Sequence, residues 1–221
     1  YLFNELFVNY STNNSIFEKS CFERWFALNA ATNELKKDDI ICLLDTDFLI
    51  GMKPIDLFNE CISKKENDEI HLIANWNNKY LDTLSPEITF MTKSYLYGFC
   101  EYLITIYFSP AMKSKLLAEY FHTIGNGSRG GICDMRALGS YAKLHKNKIF
   151  NLNNLKNFKI IFNLNHFVDE EAHEFPNWKI SFNQYRQILS SRDNSIKIIG
   201  THFQGKAKDL INLACIGKRE L

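Results

Sequence analysis

The sequence predicts a single mixed α/β domain spanning residues 1–221, built as a mixed sheet flanked by helices. Three observations carry this. Short continuous apolar runs bounded by polar residues, the pattern of strands inside a sheet, alternate with longer stretches at helical spacing. No internal repeat, charge block or linker divides the chain. Its 221 residues, 46% of them apolar, are enough to bury a substantial core.

The elements follow in order. A helix is expected to start at residues 14–15, with Ser15 as its cap and Phe17, Cys21, Trp25 and Leu28 at helical spacing. It ends before the polar stretch NELKKDD. IICLLD (40–45) reads as a fully buried strand. Pro54, at a first helical turn, opens a helix running to about Cys61. EIHLIANW and EITFM are the next strands, followed by helices over residues 93–108 and, after Pro110, 112–122. The Gly-rich loop GNGSRGG (125–131) leads into a helix from Asp134 to about His145. NKIFNL, FKIIFNL, WKISF and SIKIIGTHF read as four more strands, and KAKDLINLACI as a short helix.

Composition narrows the function classes. Lys plus Arg (26) nearly cancel Asp plus Glu (25), so no broad field favours nucleic acid or an anionic membrane, and nucleic acid is not an expected partner. The six cysteines form no CxxC or CxxxC pair, which fits a reduced, cytoplasmic protein in which Cys42 and Cys100 act as small hydrophobes. The first residues do not read as a signal peptide, so none is expected. The oiliest helix, YLYGFCEYLITIYF, contains Glu101 and falls well short of the roughly 20 apolar residues of a membrane span. A soluble protein is expected, touching a membrane at most peripherally.

The chemistry starts with Asp45 and Asp47. Alternate residues on an extended chain point the same way, so at a strand's end both carboxylates face one side. Two such groups repel unless protonated or bridged by a cation, and Mg²⁺ or Mn²⁺ prefers such oxygen ligands. A solvated turn after a buried strand is the alternative. In THFQGKAK, His202 follows a strand and is a third ligand candidate; imidazole with carboxylates suits Mn²⁺ better than Mg²⁺. Gly205 would let backbone approach a phosphate, and Lys208 would add a point charge. A packed or surface histidine is the plainer reading of His202 alone.

DxD after an apolar strand, followed far downstream by HFQGKAK, resembles the bacterial glycosyltransferases that build lipopolysaccharide and capsule, whose sugar-nucleotide domain has the GT-A (Rossmann-like) fold. The HxxGxxK pattern is similar to the glycogenin-like and galactosyltransferase branch. The resemblance implies that Asp45, Asp47 and His202 hold Mn²⁺ (or Mg²⁺), and that Gly205 and Lys208 meet the donor diphosphate. Arg24 in FERWF matches an arginine that contacts the donor, and Asp134 in GGICDM matches an acidic residue at the sugar-binding edge; as sequence, Asp134 also fits an ordinary helix N-cap. The resemblance runs from about Phe17 to Lys208. Only 44 residues precede Asp45, so the N-terminal nucleotide-binding part of this fold is expected to be shortened or missing.

The implied activity is metal-dependent transfer of a sugar from a nucleotide-diphosphate donor to a glycan or lipid-linked acceptor in surface polysaccharide synthesis, with retention of configuration favoured, by a cytoplasmic protein that meets the inner membrane face at most peripherally. Two alternatives stay open. One is a non-catalytic glycosyltransferase-like binding module. The other is an aspartate-nucleophile phosphatase, although Leu49 stands where that class places Thr or Val.

Overall fold

The computed structural model describes residues 2–64, 69–77, 83–125, 131–155, 158–161, 178–180, 189–191, 197–203, 208 and 211. The fold is mixed α/β with open sheets. In chain order the elements are α1 (Leu2–Leu6), α2 (Ser15–Ala31), β1 (Ile40–Leu44), β2 (Phe48–Ile50), α3 (Pro54–Ser63), β3 (Leu72–Asn77), β4 (Thr83–Thr92), α4 (Lys93–Phe108), α5 (Pro110–Gly125), α6 (Asp134–Leu144), β5 (Ile149–Asn151), β6 (Phe158–Ile161), β7 (Trp178–Ile180), β8 (Leu189–Ser191) and β9 (Lys197–His202). One sheet has the order β1-β4-β3-β5 and a second β2-β9-β6, while β7 and β8 form a separate pair. The second sheet is mixed: β2 runs antiparallel to β9, and β6 parallel to it. The chain resolves into two compact units, one of residues 1–41, 76–84 and 90–149, the other of 42–75, 85–89 and 150–221.

The first unit is helical, and α4 is in contact with α1, α2, α5 and α6. Leu96, Phe99, Cys100, Leu103 and Ile106 form one buried stripe of this helix, whereas Tyr97, Glu101 and Phe108 on the other side are exposed. Phe3 anchors an aromatic cluster, its ring 5.0–5.7 Å from those of Phe7, Phe22, Phe26 and Tyr107. Each fully buried ring of this kind contributes about 1.5–3 kcal/mol.

Helix α2 is capped by Asn14, not Ser15. The Asn14 side chain accepts from the Ile16 and Phe17 amides at 2.9 and 3.4 Å, satisfying donors left open by the first turn. At the other end the buried Lys93 ammonium donates to the Asn29 carbonyl and side chain, both at 2.6 Å, and to Thr32 Oγ1 at 3.1 Å. A cation at a helix C-terminus meets the negative end of the helix dipole, so Lys93 is buried without a carboxylate partner in that contact. The inward stripe of α2 is Glu18, Phe22, Trp25 and Phe26, whereas Phe17 is exposed.

Glu18 explains the rotated stripe. Its carboxylate is 1% exposed and accepts from Asn13 Nδ2 at 2.8 Å. Burial pushes its pKa up; hydrogen bonds from Asn13 and Ser11 oppose this, the charge of Asp134 adds to it, and the net is a raised value. A carboxyl raised on folding binds its proton more tightly when folded, so its contribution is complete below the unfolded pKa and lost as pH rises through the folded one. Glu18→Gln is therefore expected to gain stability relative to the parent between pH 4 and pH 8, measured as the difference in urea midpoints. A constant difference would show that Glu18 titrates alike in both states.

Gly131 sits where only glycine fits easily. Its φ is +151°, it forms an antiparallel bridge with Ser11, and the next amide, Ile132 N–H, donates to the Tyr10 carbonyl at 2.9 Å. A β-carbon there would collide with that carbonyl and lie 2.6 Å from Ser11 Cα. Gly131→Ala is expected to cost about 1–3 kcal/mol in urea unfolding, the range for a strained backbone position.

Several expectations need correction. β1 alternates exposed and buried positions instead of being fully buried, because it is the edge strand of its sheet, and Cys42 is exposed. α5 begins at Pro110 itself and runs to Gly125. α1, β2 and β8 are additional elements. Of the helix expected over residues 206–216, only Lys208 and Ile211 lie among the described residues.

Candidate metal centre

The second unit brings the two halves of the sequence pattern together through its backbone. β1 ends at Leu44, and residues 45–48 make a turn closed by the Phe48 amide donating to the Asp45 carbonyl at 3.1 Å. The Asp45 amide donates to the Glu87 carbonyl of β4 at 2.9 Å, which fixes where the turn starts. β2 then pairs with β9 in the register Phe48 to His202. The ladder is extended at both ends, by Phe203 N–H on the Asp47 carbonyl (2.9 Å) and Gly51 N–H on the Ile199 carbonyl (2.8 Å). Asp45 and Asp47 thus converge through a turn and not through alternation along a strand, which corrects the geometry expected from the sequence.

The side chains follow from that register. His202 Nε2 lies 3.1 Å from Asp47 Oδ1, and Lys208 Nζ 2.8 Å from Asp47 Oδ2. Ligand atoms of Asp45, Asp47 and His202 all lie within 4.8 Å of one another. Opposite ligands of an ion with bonds of about 2.1 Å are about 4.2 Å apart, so a small inward adjustment would let all three reach one cation. Two carboxylates and one imidazole form a donor set that suits Mn²⁺ or Mg²⁺. Burial works against the Asp47 carboxylate, but the Lys208 hydrogen bond and the charges of His202 and Lys208 outweigh it and lower its pKa. An ionised Asp47 is the state a metal ligand needs.

Behind His202 stands a residue that the motif reading passed over. Glu87 is 3% exposed, and its Oε1 lies 3.3 Å from His202 Nδ1 and accepts from the Ser85 hydroxyl. The other oxygen, Oε2, is buried with no hydrogen-bond partner among the described residues. The sequence held a signal: one carboxylate within the otherwise apolar or neutral strand TLSPEITFMT, where a charge is buried only with a partner.

Arg24 and Asp134 meet within the first unit. Cys133 is the N-cap of α6, and Asp134 is its first residue. Asp134 Oδ1 accepts from the Met135 amide (2.9 Å), and Oδ2 from Arg24 Nη2 (2.5 Å) and Trp25 Nε1 (3.1 Å). At 3% exposure, with both oxygens engaged, Asp134 ties α6 to α2. Gly205 lies outside the described residues. Asp45, Asp47, His202 and Lys208 form one cluster, and Arg24 with Asp134 another.

Among the described residues no helix is long and apolar enough to cross a membrane. Compared with known proteins, the chain matches no family model and shows no significant sequence similarity to a curated protein.

Proposed function

We propose that the chain is a divalent-metal-dependent glycosyltransferase domain of GT-A type, transferring a sugar from a nucleotide-diphosphate donor to a hydroxyl of a glycan or lipid-linked acceptor. The observation that carries this reading is the meeting of Asp47 with His202 and Lys208, residues about 155 positions apart that belong to the DxD and HxxGxxK motifs. In the proposed reaction the departing diphosphate gathers negative charge. A Mn²⁺ or Mg²⁺ ion held by Asp45, Asp47 and His202 would supply Lewis-acid stabilisation of that charge. Lys208, whose side chain is 59% exposed, leaves Asp47 for the phosphate oxygens and brings a second positive charge to them. Gly205, the glycine of the same HxxGxxK motif, is assigned to the donor diphosphate in this reading. Retention of configuration, a role in surface polysaccharide synthesis and peripheral contact at the inner membrane face belong to the same proposal.

Calorimetry and hydrolysis assays with a panel of sugar nucleotides, with and without Mn²⁺, test it. Expected are metal-dependent binding and slow metal-dependent hydrolysis of at least one donor. Metal-dependent binding without hydrolysis or transfer would favour a binding module. No binding in either condition would remove the glycosyltransferase reading, and a trapped phosphoaspartate would replace it with a phosphatase.

A further inference from the structure

We infer that Glu87 is a positioning residue that holds the His202 imidazole with its proton on Nδ1, leaving Nε2 to bind the divalent cation. The inference rests on the metal reading of the Asp45, Asp47 and His202 cluster and extends it to the residue behind the ligand.

An ionised carboxylate only accepts hydrogen bonds. Glu87 Oε1 faces Nδ1 at 3.3 Å, so once Nε2 gives its lone pair to a cation, Nδ1 carries the imidazole proton and has an acceptor beside it. The imidazole nitrogen on the far side, Nε2, is the one directed at Asp47 Oδ1. A histidine ligand gains its orientation and tautomer from such an outer partner, and its basicity rises with a carboxylate there. Both side chains are almost fully buried, at 5% and 3% exposure, so water does not readily replace the contact. Ser85 donates to the same Glu87 oxygen and limits rotation of the carboxylate. The backbone agrees with this arrangement. Glu87 supplies the carbonyl that receives the Asp45 amide, so one residue sets the position of a carboxylate ligand through its main chain and of the imidazole ligand through its side chain. A lone buried carboxylate would be costly in a strand serving only packing, and its placement behind His202 accounts for it.

The test compares the parent chain with Glu87→Met, which fills similar volume without an acceptor, and Glu87→Gln, which keeps one. Imidazole ¹⁵N spectra, with His202 assigned by its substitution, report the tautomer in metal-free protein and with Mg²⁺. Electron paramagnetic resonance of free Mn²⁺ reports affinity, and thermal melts confirm folding. In the parent with Mg²⁺ bound, Nδ1 is expected to be protonated and Nε2 not. Glu87→Met should shift His202 toward the Nε2–H form and weaken Mn²⁺ by about 10- to 100-fold, the range for loss of an outer-shell partner. Glu87→Gln should retain the Nδ1 proton and recover most of the affinity. An unprotonated Nδ1 in the Mg²⁺-bound parent, or equal Mn²⁺ affinity in all three folded proteins, overturns the role of Glu87 while the metal site stands. A parent that binds no Mn²⁺ overturns the metal reading and this inference with it.

Discussion

Asp47→Asn is expected to abolish tight Mn²⁺ binding while leaving the fold in place. Asp47 is the hub of its cluster: one oxygen faces His202 and the other Lys208. The amide keeps the shape and one acceptor but removes the charge that attracts a dication. Loss of this ligand should exceed the roughly 10- to 100-fold effect of an outer-shell partner. Stability should change little, because Asp47 is 22% exposed and Lys208 59%, and pairs in contact with water contribute about 0–1 kcal/mol. The turn itself is held by main-chain bonds that the substitution does not touch, from Phe48 N–H to the Asp45 carbonyl and from Phe203 N–H to the Asp47 carbonyl. Titration of Mn²⁺ by electron paramagnetic resonance, beside a thermal melt, separates the two effects. Parent-like affinity in a folded variant would discard Asp47 as a ligand. His202→Ala should also weaken Mn²⁺, but at a larger cost in stability, since His202 is buried and the buried Glu87 carboxylate then keeps only Ser85 beside it.

The parts of the fold that sequence reveals are those with local causes. Helix α4 was legible to the residue, because Lys93 and Phe108 bracket one long apolar stretch that ends before Pro110. Strands β3 and β4 were legible as β-branched and aromatic runs. What escaped depended on partners distant in sequence. Three-residue strands such as β2 exist only through pairing, and nothing in FLI alone announces β9. The edge position of β1 left exposed a strand whose composition resembles an interior one, since the sequence shows oil but not its neighbours. The inward face of α2 was misjudged because its stripe includes Glu18, and apolar periodicity cannot anticipate a buried acid satisfied by Asn13. The candidate centre divides the same way. Asp45, Asp47, His202 and Lys208 were visible as motif spacings, whereas Glu87 became visible only once the imidazole had a direction.

The second large effect is expected at Arg24. Its guanidinium donates to Asp134 Oδ2 at 2.5 Å, and Asp134 is the more deeply buried partner, with 5% of its side chain exposed against 30% for Arg24. Removing the cation by Arg24→Ala leaves a buried carboxylate with Trp25 and the Met135 amide as remaining donors, and with the buried Glu18 carboxylate repelling it. Breaking a buried pair in this way costs about 3–5 kcal/mol, because the surviving charge has lost its compensation. Asp134→Asn should cost less, since Arg24 reaches water and the amide still accepts from Trp25. The double variant Arg24→Ala with Asp134→Asn should recover part of the loss. Urea unfolding of all four proteins forms a double-mutant cycle, and a coupling well above 0.5 kcal/mol marks interacting sites. The cycle also separates two roles. If Arg24 served the donor sugar alone, its removal would weaken donor binding with stability unchanged and no coupling to Asp134. If the pair first fastens α2 to α6, stability falls without any ligand present. The cost of Arg24→Ala should shrink from pH 7 to pH 4, because the Glu18 carboxyl, raised by burial, takes up its proton and no longer repels Asp134.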